Sequence, residues 1–64
     1  MLVLLNLIVG IVDMHEKGNA HIMSEGYDDI FIQKNNMKGA YHKDTVLVCY
    51  TDKDRNEGKI VKGI

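Results

Sequence analysis

The chain has 64 residues, enough for one domain spanning 1–64 and too few for a deep catalytic pocket. A domain this small buries only about 60% of the surface that its unfolded chain exposes, so a shallow surface site is expected. The apolar fraction of 45% and charged fraction of 27% exclude a disordered tail, and a net charge of -1 excludes a strongly basic nucleic-acid binder, leaving any phosphate contact to a local patch or to a neighbouring domain.

The chain opens on MLVLLNLIVGIV, almost wholly apolar. No Lys or Arg precedes Lys17, so the run lacks the basic start of a signal peptide. Asp13 and His15 end it well short of the roughly 20 residues that cross a membrane. It is predicted as a strand over Val3–Met14, with a helix or the remnant of a longer segment as alternatives. Gly10 within it suggests a bulge or a bend at a barrel corner. His15-Glu16-Lys17-Gly18 is the first turn.

A second strand is predicted over Asn19–Met23, then a turn at Ser24-Glu25-Gly26-Tyr27-Asp28. The third strand, Asp29–Gln33, alternates: Ile30 and Ile32 face the core, Phe31 and Gln33 face out. From Lys34 to Asp44 the pattern breaks into a loop with one helical turn around Met37. A fourth strand, Thr45–Thr51, turns Val46 and Val48 inward and puts Tyr50 at the core or its rim. A charged turn at Asp52–Asn56 leads to a last strand over Gly58–Val61, extending towards Ile64. Five strands with a long connection between the third and fourth predict an all-β, five-stranded OB-type barrel, with an SH3-like barrel or an open meander compatible with the same spacing.

Cys49 is the single cysteine, so the chain forms no internal disulfide and has no cysteine cluster for zinc. A reducing, cytoplasmic setting is expected, with no metal and no cofactor. His42, Asp44 and Cys49 do not read as a catalytic triad, because residues at opposite ends of a strand do not meet. His42 is expected to fix its loop by a hydrogen bond, and Cys49 to be half-buried and inert. The acid pairs Asp28-Asp29 and Asp52 with Asp54 read as turn formers. No catalytic residue is assigned.

Four stretches, in this order and spacing, resemble the cold-shock-like OB domains of the ribonuclease R (RNase II/RNB) exoribonuclease family. They are Gly10-Ile11-Val12 with Lys17-Gly18, Asp29-Ile30-Phe31-Ile32, Gly39-Ala40-Tyr41-His42-Lys43-Asp44 leading into Val46-Leu47-Val48, and Glu57-Gly58-Lys59-Ile60-Val61. The resemblance implies an accessory barrel that binds single-stranded RNA weakly and guides it to the catalytic domain of the same parent chain, a 3′-5′ exoribonuclease. This chain would then be a fragment of that hydrolase, and not an enzyme on its own. It departs from the family where aromatic residues usually stack on bases: Lys17-Gly18-Asn19-Ala20-His21 has Asn19 and His21 in their places. Gln33 stands where His is common, Asp13 where a basic residue is usual, and Lys43 where glycine is usual.

A stacking surface needs flat rings on adjacent strands with cations at the rim. Alternation places Asn19, His21, Phe31 and Gln33 outward on the second and third strands, with Lys17 and Lys34 flanking them. These six are the expected RNA-binding residues. The competing expectation is a structural or protein-interaction barrel with little RNA affinity, docking to a neighbouring domain or self-associating through Leu2 to Ile8. It rests on the near-neutral charge, the missing aromatics and the apolar N-terminal run.

Overall fold

A computed structural model describes residues 7–64. Five strands form a closed barrel: β1 (Ile8–Met14), β2 (Ala20–Met23), β3 (Ile30–Ile32), β4 (Thr45–Asp52) and β5 (Glu57–Gly63). Their order around the barrel is β1-β2-β3-β5-β4, with β4 returning to β1. Only the β3–β5 pair is parallel. Closure removes the exposed edges of an open sheet, and the OB-type barrel stands over the SH3-like and meander alternatives.

Period-2 alternation fills the interior. Ile8 and Val12 come from β1, Ala20 and Ile22 from β2, Ile30 and Ile32 from β3, Val46 and Val48 from β4, and Ile60 from β5. Tyr50 is half-buried and packs on this core, and Cys49 is half-buried. Among the described residues no helix is long and apolar enough to cross a membrane.

Gly10 sits where β1 passes from pairing with β4 to pairing with β2. A side chain there would collide with Ile22 Cγ2 and come within 2.9 Å of the Met23 carbonyl. The glycine therefore permits a close strand approach at the corner, while the register shifts of the barrel lie in the β4–β5 pair, at Leu47/Val48 and Tyr50/Asp52.

Several strand ends differ from expectation. β1 starts at Ile8, with Leu7 outside the strand; residues 3–6 of the expected strand lie outside the described residues. Asn19 precedes β2 because its carbonyl closes the first turn, accepting a bond from His15 N at 2.8 Å. β3 is shorter than expected at both ends, and Gln33 becomes the extended residue that starts a 3-10 turn at Lys34–Asn36. Met37 ends that turn and is buried in the core, a role that its loop position did not signal. β4 runs one residue longer, to Asp52, whose carboxylate accepts a bond from Arg55 N at 3.3 Å and caps a second 3-10 turn at Lys53–Arg55. β5 begins at Glu57 and continues to Gly63 because Lys62 and Gly63 pair with Leu47 and Val46.

Candidate nucleic-acid interface

The site is built on the β1–β2 hairpin and the neighbouring β3. Residues whose numbers sum to 34 face each other in the hairpin, so Asp13 lies opposite His21 and Met14 opposite Ala20. The turn closes through Gly18 N to His15 O at 3.0 Å. Gly18 adopts φ +94°, a left-handed conformation that glycine takes freely. Its missing side chain leaves room for Lys34: a Cβ at Gly18 would lie 3.0 Å from Lys34 Cδ. The Lys34 stem thus packs against the first turn at Gly18, next in the chain to Lys17.

On the next strand pair His21 faces Phe31 directly. Their ring centroids are 5.5 Å apart at 61°, an edge-to-face contact. His15 joins from the diagonal position of the hairpin, with its ring 4.6 Å from that of His21 at 79°. His15 Nε2 and His21 Nδ1 are hydrogen-bonded, so one of these nitrogens carries a proton and the other accepts it. The bond ties the turn to the strand and fixes the relative orientation of the two rings.

His15, Glu16, Lys17, Asn19, His21 and Phe31 line an open depression of about 450 Å³. Four of the six expected residues therefore share one cleft: Lys17, Asn19, His21 and Phe31. Lys34 borders it through Gly18, whereas Gln33 is exposed beside it and does not line it. The reason is backbone: Gln33 has left β3 and initiates the 3-10 turn, its carbonyl accepting a bond from Asn36 N at 2.8 Å. His15 and Glu16 were missed as site residues. The signal for His15 was in the hairpin: if 13 faces 21, then 15 is the diagonal neighbour of 21, within reach of an aromatic side chain.

Phe31, His21 and His15 supply flat faces on which a base can stack, and Asn19 adds both a hydrogen-bond donor and an acceptor. Charge is mixed. Lys17 and Lys34 are cationic, but Glu16 lines the cleft, Asp13 faces His21 and Glu57 faces Phe31. Arg55 is drawn to Glu57, at 4.0 Å.

The other titratable side chains have backbone work. His42 Nδ1 accepts a bond from Met14 N at 3.0 Å, which ties the long loop to β1 as expected. Asp44 accepts a bond from Tyr41 N at 2.8 Å. Among the described residues no group of three or more His, Cys, Asp or Glu side chains is arranged to hold a metal ion.

Residues 10–63 match the ribonuclease B OB domain family. The chain belongs to this family. Domains of the family are parts of exoribonucleases, which are hydrolases, and the match spans all five strands except the first two residues of β1 and leaves the barrel as the unit of resemblance. No curated protein and no solved structure matches the chain.

Proposed function

We propose that this ribonuclease B-type OB barrel is a single-stranded RNA-binding accessory domain. In this reading it belongs to a longer, cytoplasmic, ribonuclease R-like 3′-5′ exoribonuclease, and it hands RNA to a catalytic domain elsewhere in that chain. The observation that carries the reading is the cross-strand pair of His21 and Phe31 in an open cleft, with Lys17 and Lys34 at its edge. Bases stack on Phe31 and His21, Asn19 and Gln33 offer amide groups to base edges or sugar, and the two lysines meet phosphates. Because every base has a π-face, such binding tolerates any sequence. With Asp13, Glu16 and Glu57 close by, it is weak.

The test is titration of labelled oligo(U) at low and then moderate salt, with the parent and with Phe31→Ala. Stacking is worth roughly 1–3 kcal/mol per base, so the variant should bind about 5- to 150-fold more weakly with an unchanged far-UV circular dichroism spectrum. Equal affinity of the folded variant and the parent would remove the platform.

A second reading is favoured by the outer row Val9, Ile11, Met23 and Leu47. Val9 faces Leu47, Ile11 faces Met23, and Val9 is 51% exposed. The sequence leading into this row is itself apolar from Leu2 to Leu5. In that reading the barrel packs on a second copy of itself. Its signature is no oligo(U) binding at low salt, together with sedimentation that rises with concentration.

A further inference from the structure

A second aromatic cleft lies on the other side of the β3–β5 seam. Tyr27 and Asp28 come to it from the β2–β3 turn, Tyr50 from β4, and Lys53 and Asn56 from the β4–β5 turn, around a volume of about 500 Å³. An adjoining depression of about 270 Å³ shares Tyr27, Tyr50 and Lys53, so these three line one continuous groove. Both turns are closed by their own backbone bonds, Tyr27 N to Ser24 O at 3.1 Å and Asn56 N to Lys53 O at 3.2 Å. Tyr27 is 58% exposed, a large apolar ring held out to solvent from an ordered turn.

The groove abuts the first cleft. Phe31, whose ring lines the first, donates its backbone N–H to the Asn56 carbonyl at 2.7 Å, and Asn56 lines the second. The two clefts also hold the same components. Each has rings, one lysine ammonium and one asparagine amide, with one carboxylate: Glu16 in the first, Asp28 in the second. An OB domain engages about 4–16 nucleotides, so a strand crossing the first cleft has the length to reach a second.

We propose that this Tyr27–Tyr50–Lys53 groove is a second nucleotide-binding subsite, taking one or two bases of the same single strand that crosses Phe31. A base stacks on Tyr27 and Tyr50, Lys53 pairs with a phosphate, and the Asn56 amide bonds a base edge or ribose. The inference rests on the RNA-binding reading above.

The chain supplies its own reporter. It has three tyrosines and no tryptophan, and none of the tyrosines lines the first cleft. Tyr41→Phe leaves emission from Tyr27 and Tyr50 alone. Oligo(U) of four and of ten nucleotides would be titrated against Tyr41→Phe, and against Tyr41→Phe carrying Phe31→Ala, Tyr27→Ala or Tyr27→Phe. The ten-mer should bind at least tenfold more tightly than the four-mer and quench most of the tyrosine emission. Tyr27→Ala should lose about tenfold in ten-mer affinity with four-mer affinity unchanged, and Tyr27→Phe, which keeps the ring, should retain ten-mer affinity. A four-mer that depends on Phe31, with no gain or quenching from the ten-mer, overturns this subsite alone. So does a Tyr27→Ala variant that binds the ten-mer like the parent. Failure of both oligonucleotides to bind at low salt overturns the RNA-binding reading, and this subsite with it.

Discussion

Lys43 adopts φ +72°, the left-handed region that glycine takes freely. A side chain there costs roughly 1–2 kcal/mol in contact with its own carbonyl. The conformation persists because the neighbouring backbone fixes it: Lys43 N donates to the Val12 carbonyl at 2.8 Å, and Val12 N donates to the Asp44 carbonyl at 2.9 Å. The loop path therefore holds the lysine in a strained conformation. Lys43→Gly should relieve that strain, while the freer unfolded chain offsets about 0.4–1 kcal/mol of the gain. The net expectation is a stability increase of about 0.5–1 kcal/mol, read as a higher urea midpoint at unchanged m-value. Lys43→Ala keeps the strain and should leave the midpoint near that of the parent; equal midpoints for the glycine and alanine variants would contradict this account.

The long loop between β3 and β4 contributes to the core through one side chain. Met37, 5% exposed, lies in the same buried cluster as Ile30, Ile32 and Val46. Truncating a buried Met to Ala costs about 2–5 kcal/mol, against a total stability of roughly 3–10 kcal/mol for a domain of this size. Met37→Ala should accordingly melt far below the parent, whereas Met37→Leu, of similar volume, should cost less than about 1.5 kcal/mol. Equal melting of the alanine variant and the parent would put Met37 outside the core. Met37 also marks the limit of what the sequence conveys. Alternation exposed the faces of β3 and β4 correctly, because Ile30/Ile32 and Val46/Val48 repeat with the pleat. The single buried residue of an irregular loop has no period to reveal it. Strand ends were equally opaque where pairing overrides composition: Lys62-Gly63 is polar and flexible as sequence, yet β4 holds it in the sheet. In the site, Asn19, His21 and Phe31 followed from the same alternation, and His15 required the hairpin register. The meeting of Tyr27 with Tyr50 depends on barrel closure, which brings together residues that no local pattern links.

Across the whole molecule the net charge of -1 and the mixed rim decide how RNA is held. Lys17 and Lys34 border the first cleft, and Lys53 lines the second. Arg55, 74% exposed, lies 4.0 Å from Glu57, whose charge offsets its own, so three lysines are counted as the phosphate contacts of the proposed path. Each phosphate neutralised on a single strand contributes about -0.7 to the slope of log affinity against log salt, so three contacts give a slope near -2. Between 50 and 200 mM salt that amounts to roughly 20-fold weaker binding. Strongly basic binders making 6–10 contacts lose about 10³–10⁵ over the same range, so this barrel should be far less salt-sensitive than they are. Lys53→Gln should flatten the slope for a ten-nucleotide oligo(U) by about 0.7 while leaving the stacking contribution of Phe31 intact. A slope near zero for the parent would mean that the bases alone hold the strand. A slope steeper than about -4 would require cations beyond these three, and with them a path over the barrel other than the one through Phe31 and Tyr27.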